Sequence, residues 1–269
     1  MICNLEVAGM SATADTLITA KRISGNEPDS RPQMVNWGTY FKVITGIALG
    51  YFAYRVYMQK YAFSVGLDSF EPEFAVFWMR LLYAQIAVAV LTLIGVVVYL
   101  WQTRERSPDS VPPEVELSRY FKWITWLASY TLVVFITGAF GAESDAAWHQ
   151  VVIRDTDFTP THIGLFYLCI PALIITGVGS FLYARTRLPM HTNKAFVALV
   201  IAIGGPILIM PMVGYNEWAH TFFYAEEVFS APVHWGFSIL GLALLGLGGV
   251  IIHIVARMKE LIDEVAARA

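Results

Sequence analysis

Between Leu81 and Trp101 the chain carries no charged side chain over a run of more than twenty positions. An α-helix of about 20 residues crosses the roughly 30 Å hydrocarbon core of a bilayer. Within that core each backbone N–H and C=O must be satisfied by the chain itself, which restricts spanning structures to helices and closed barrels. Runs of this length point to helices. Further apolar runs give six expected spans, at 40–59, 76–101, 121–141, 163–184, 195–213 and 233–256. The first holds Lys42 and Arg55 near its ends, where both are expected to snorkel to the interface. The fifth is uncharged and contains Pro206 and Pro211, which predict a kink.

Composition agrees. Charged residues make up 14% of the 269-residue chain, against about 25% in soluble domains, and the mean hydropathy is +0.56. The expected fold class is all-α, a polytopic transmembrane helix bundle of about six spans. Residues 1–36 read as a polar, disordered tail, 37–260 as the transmembrane helical domain and 261–269 as a short second tail. Met10 offers an alternative start. Of the two cysteines, Cys3 lies in the polar tail and Cys169 in an apolar run, so neither a disulfide framework nor a thiolate metal site is expected.

The positive residues set an orientation. The 1–40 tail, the 102–122 and 185–194 loops and the C-terminal segment hold most of the Lys and Arg, whereas the alternate connections hold only Lys60, Arg80 and Arg154. Both termini are therefore expected on the cytoplasmic side. Gly46 and Gly50 form a G-x-x-x-G in the first span, and Gly241, Gly246, Gly248 and Gly249 crowd the sixth; both are candidate sites of close helix approach.

Four of the six histidines fall near the non-cytoplasmic ends of spans, in two matched groups. Asp145 precedes His149 by four, and His162 follows at the start of the next helix. Asn216 precedes His220 by four, and His234 follows in the same way. Positions i and i+4 share a helix face, so each group offers one oxygen and two imidazoles to a common ion, a donor set that suits non-haem iron and copper alike. Asp145 brings a charge that Asn216 lacks, so the first site is expected to hold metal more firmly. His191 is placed in a cytoplasmic loop and His253 near the inner end of the sixth span.

Two other classes compete. Histidines 13 or 14 apart also describe a b-type haem electron-transfer protein of the membrane. However, Arg154, Asp155, Asp157 and Pro160, and likewise Glu226, Glu227 and Pro232, lie between the paired histidines, and a membrane-crossing helix does not tolerate so many charges. A cation-conducting protein would use the outward carboxylates, among them Asp68, Glu71, Glu73, Glu143 and Glu217, as a vestibule; no carboxylate falls in mid-span and no inverted repeat is evident.

The stretches Gly-Leu-Asp-Ser-Phe-Glu-Pro-Glu-Phe (66–74), Thr-Arg-Leu-Pro (186–189), Asn-Glu-Trp-Ala-His (216–220) and Ala-Pro-Val-His-Trp-Gly-Phe (231–237), with the long run from Trp148 to His162, resemble the C subunits of the copper-containing membrane monooxygenases that oxidise methane, short alkanes or ammonia. The resemblance runs from about residue 60 to 256. It implies copper as the cofactor, with Asp145, His149 and His162 matching one site and Asn216, His220 and His234 a second. It implies A and B subunits as partners in a trimer of heterotrimers, a bacterial cytoplasmic or intracytoplasmic membrane, and O₂-dependent hydroxylation of a small apolar substrate or ammonia. No nucleic-acid partner is expected. Asp157 in Asp-Thr-Asp-Phe is closer to the methane branch, which leans the expectation towards a hydrocarbon. The tail before residue 60, Tyr215 and Ala219 depart from the family pattern.

Overall fold

The computed structural model describes residues 35–152, 158–194, 196–208 and 235–268, with positions 146, 149, 150 and 235–241 described by backbone alone. Helices dominate, and no strand occurs among the described residues. Helix α1 is Trp37–Val65 and α2 is Pro72–Gln102. Helix α3 joins Pro113–Ile136 to Glu143–Val151 through a π-helical turn at Thr137–Ala142. Helix α4 is Pro160–Arg187, α5 the single turn Pro189–Thr192, α6 Val197–Leu208 and α7 Trp235–Arg268.

Local sequence explains where the helices begin. Asn36 caps α1 by accepting the Thr39 N–H at 3.0 Å. Pro113 occupies the first position of α3, and Glu114 and Glu116 in its first turn complement the positive end of the helix dipole. Thr159 caps α4, with Pro160 at its first position.

Among the described residues, four helices suit a membrane crossing by length and composition: α2, α3, α4 and α7. The expected first span is a helix of 29 residues, long enough to cross but less apolar than the four. The described part of the fifth is the shorter apolar helix α6; Pro206 lies inside it, and Pro211 lies outside the described residues. Helix α7 runs on to Arg268, past the expected limit at 256. The polar segment 1–34 and the connection 209–234 also lie outside the described residues.

Helices α3 and α4 form the centre, with α2, α6 and α7 against them. Trp123, Leu127, Tyr130 and Val133 of α3 meet Leu173, Tyr183 and Ala184 of α4, Leu199 and Ile203 of α6, and Val250 and Ile254 of α7. In lipid the hydrophobic effect does not drive helices together, so close packing and hydrogen bonds must. The Trp123 indole donates to Ser180 Oγ at 3.1 Å and the Tyr130 hydroxyl to the Ala202 carbonyl at 2.7 Å. Each such bond contributes about 0.6 kcal/mol on average. Gly177 lies beneath the Tyr130 ring and Gly179 beneath Trp126. The outward faces are correspondingly apolar: Leu91, Leu245 and Ile252 are each about 70% exposed.

The two glycine groups behave differently. A Cβ on Gly46 or Gly50 would meet nothing within 4 Å, whereas one on Gly246 would lie 2.8 Å from the Ala198 carbonyl oxygen of α6. Of these two groups, it is Gly246 that meets a neighbouring helix closely.

At the end of the bundle that carries Gln102, Pro113 and Arg187, polar contacts tie the helices together. Arg257 of α7 grips Glu116 of α3 with two hydrogen bonds of 3.0 and 3.2 Å. His191, in α5, is 2% exposed, and its ring lies 5.0 Å from Trp123 and 5.2 Å from His253 of α7. Both histidines are packed into one aromatic cluster with Phe196.

Candidate metal centre

At the other end of the bundle, helix α3 finishes and α4 begins. The π-helical turn Thr137–Ala142 ends immediately before Glu143, and a second one, Leu165–Cys169, follows the first turn of α4. Such turns concentrate at functional sites because the inserted residue re-aims the side chains beyond it. The two pack together through Gly141, where a Cβ would lie 2.9 Å from Leu165 Cδ1 and 3.1 Å from Cys169 Sγ. A third, Ala75–Met79, lies near the start of α2 at the same end.

Above that contact Asp145 and His162 meet. Asp145 follows the first π-turn and His162 precedes the second. The two residues are 4% and 5% exposed, and His162 Nε2 lies 3.4 Å from Asp145 Oδ1. Charge-assisted hydrogen bonds are commonly about 2.7–2.9 Å, so this separation is long for a direct bond. It matches two donors sharing one ion: bonds of about 2.0–2.1 Å at a tetrahedral angle separate the donors by about 3.3–3.4 Å.

The backbone of His162 is fixed from below. Its N–H donates to Thr159 Oγ1 at 2.9 Å, closing the N-cap of α4. The Thr159 and Thr161 hydroxyls are 2.9 Å apart, and the Tyr54 hydroxyl of α1 donates to the Pro160 carbonyl at 3.1 Å. Gly164 lets α4 lie against the Tyr54 ring, since a Cβ there would come within 2.8 Å of it. On the α3 side, Arg55 Nη1 donates to Ser144 Oγ at 2.5 Å. The expected snorkelling of Arg55 is thus replaced by a contact beside Asp145, because Ser144 offers a buried acceptor within reach.

Aromatic rings lie nearby. Phe166 meets the His162 ring edge-on with centroids 5.4 Å apart, and the buried Trp148 lies 5.1 Å from Phe63. A carboxylate and an imidazole buried together offer one hard oxygen and one borderline nitrogen donor, a set that suits divalent first-row transition metals.

Of the first expected trio, Asp145 and His162 are therefore adjacent. His149 is on the same helix one turn after Asp145, described by backbone alone. Among the described residues no group of three His, Cys, Asp or Glu side chains is placed to hold an ion. Asn216, His220 and His234, as well as Arg154, Asp155 and Asp157, lie outside the described residues. The role of Thr159 and the partner of Arg55 escaped the sequence reading. The Thr159-Pro160 pair ahead of an apolar run is a helix-start signal that could have identified the first; Arg55 gave no local signal.

Sequence comparison adds one finding. The family model AmoC, which describes the C subunits of ammonia monooxygenase and methane monooxygenase, matches residues 22–265, nearly the whole chain. No curated protein matches the chain.

Proposed function

The chain belongs to the AmoC family, the C subunits of ammonia monooxygenase and methane monooxygenase, and on that premise we propose that it is a copper-holding membrane component of a monooxygenase complex. The observation that carries this reading is the buried Asp145–His162 pair, 3.4 Å apart on two different helices. His149, one turn along α3 from Asp145, supplies the third donor. Asn216, His220 and His234 form a second site on the same face, and both sites lie at the non-cytoplasmic surface, with both termini cytoplasmic and six spans in all. The A and B subunits complete the assembly as a trimer of heterotrimers.

The residues divide the work. Asp145 supplies a negative charge that offsets a cation and, at this burial, strengthens its retention. His162 supplies a neutral imidazole whose backbone the Thr159 cap holds still. Phe166 and Trp148 exclude water, and Arg55 holds Ser144 and with it the turn that carries Asp145. Copper bound there supplies the capacity to reduce O₂ and to insert one of its atoms into a substrate. Small apolar substrates partition into lipid, so a site at the membrane meets them at raised concentration. A methane or short-alkane substrate is favoured over ammonia through the Asp-Thr-Asp-Phe run at 155–158.

The test uses the intact complex purified as wild type, Asp145→Asn, His162→Ala and His220→Ala. Copper per complex and the Cu(II) electron paramagnetic resonance spectrum are measured beside oxidation of methane, butane and ammonia. Each variant is expected to lose copper and to alter the spectrum. Full copper with an unchanged spectrum in all three variants would sink the site assignment. Turnover of ammonia alone by wild type would overturn the hydrocarbon preference while leaving the metal sites standing.

A further inference from the structure

At the opposite end of the bundle from the metal centre, a cleft of about 380 Å³ opens between the end of α2 and the end of α4. Its walls are of two kinds. Trp101, Phe181 and Leu182 make an apolar side, while Arg104 and Arg185 make a cationic one. These residues sit where two membrane-suited helices, Pro72–Gln102 and Pro160–Arg187, come to their ends. The apolar wall therefore faces the level at which a bilayer gives way to its headgroups, and Trp101, 58% exposed, sits at the depth that interfacial tryptophans favour.

Among the described residues, no carboxylate pairs with the cleft's two guanidiniums, Arg104 and Arg185. Glu105 lines the cleft, but its Oε2 is held by Arg119 at 2.7 Å and its Oε1 accepts the N–H groups of Arg106 and Ser107. The Arg119 guanidinium beside it holds the Glu105 carboxyl below the usual carboxylate range, so it stays a partnered anion. Arg104 lies over the Trp101 ring, 4.6 Å from its centroid, and donates to the Trp101 carbonyl. Arg185 donates to the His191 and Lys194 carbonyls at 2.7 and 2.9 Å. Backbone carbonyls orient both guanidiniums without neutralising them, and among the described residues neither forms an ion pair. Two oriented guanidiniums beside an apolar wall present forked donors to a phosphate and a surface to a hydrocarbon chain at once.

We propose that this cleft binds the headgroup of an anionic membrane phospholipid. Arg104 and Arg185 take the phosphodiester, and Trp101, Phe181 and Leu182 take the first part of an acyl chain. The volume suits a headgroup with a few methylenes rather than an entire lipid, and the open side lets the remaining chain continue along α2. A free phosphate would use the guanidiniums alone and leave the apolar wall wet.

The complex, purified in detergent after exchange into phosphatidylcholine vesicles containing phosphatidylglycerol, is analysed for retained lipid by native mass spectrometry. Wild type is expected to retain phosphatidylglycerol in preference to phosphatidylcholine. Arg104→Gln is expected to reduce that preference about fivefold, the contribution typical of one basic residue at a membrane surface. Among the described residues Arg104 makes only local contacts, so this variant should leave assembly intact, which size-exclusion chromatography checks. Trp101→Ala should lower retention of both lipids. Equal retention of the two lipids by wild type, an unchanged preference in Arg104→Gln, or release of the lipid by millimolar inorganic phosphate would each overturn the proposal.

Discussion

Gly141 of α3 lies so close to Leu165 of α4 that an added Cβ would stand 2.9 Å from the leucine Cδ1. This contact sits directly below the Asp145–His162 pair and sets how near the two helices come. Alanine here needs a shift of the flexible leucine tip and a few tenths of an ångström of give at Cys169 Sγ. Valine has no such escape, because Cys169 closes the other side at 3.1 Å. Gly141→Val is expected to destabilise the bundle by about 1–3 kcal/mol and to lower copper content, with Gly141→Ala close to wild type. Thermal unfolding and metal analysis on the same preparations check both.

Thr159 positions His162 without touching it through its ring. Loss of an N-cap hydroxyl costs about 1 kcal/mol, so Thr159→Ala should lower stability by about that amount and weaken copper retention less than His162→Ala does. Thr159→Ser keeps the acceptor for the His162 N–H and should restore both. A Thr159→Ala complex that holds copper as firmly as wild type against a competing chelator would contradict the positioning role.

His191 gives the chain a pH dependence. Burial first, then the neighbouring His253 and Arg185, pushes its pKa down from the ordinary 6.5 to about 4. In the unfolded chain it titrates near 6.5. Between these values the unfolded state binds the extra proton, so stability rises with pH. The contribution is complete above about pH 6.5 and is lost as pH falls towards 4. Melting temperatures measured across that window should decline with acidification in wild type and decline less in His191→Gln.

Gly246 and Gly50 offer a paired test of helix packing. Gly246→Ile must displace the α6 backbone at Ala198 and is expected to cost about 1–3 kcal/mol. Gly50→Ile meets open space within the chain and should leave the unfolding temperature of the isolated chain unchanged. Equal effects at the two positions would mean that the α6–α7 approach is not as close as described.

How much of this was legible beforehand differs from residue to residue. Helix α2 was readable because its signal is its own composition, and the start of α4 was written locally in Thr159-Pro160. The i, i+4 spacing paired Asp145 with His149, which is described by backbone alone, and brought in His162 only as a third member from the next helix. What a residue finds across a helix interface was not readable. Gly46-x-x-x-Gly50 has the better local pattern, yet it opens onto space, while Gly246 takes the close contact because of which face α7 turns to α6. Arg55 looked like an interfacial lysine-type anchor until a partner 89 positions away in the chain, Ser144, claimed it. Of the π-helical turns, Leu165–Cys169 has a local correlate in Pro171, which cannot donate to the carbonyl four residues before it.

Those turns make α3 two segments of independent phase. An α-helix advances about 100° per residue, so the one surplus position stored in Thr137–Ala142 sets the azimuth of everything after it relative to the buried stripe of Trp123, Leu127 and Tyr130. Excising a single residue there would let the rod close into regular helix with Asp145 near its present azimuth, whereas keeping the residue in a regular α-helix would swing Asp145 by about 100° away from His162, the stripe upstream keeping its register in either case. The aim of the donors and the packing of the bundle can thus be adjusted separately along one continuous rod.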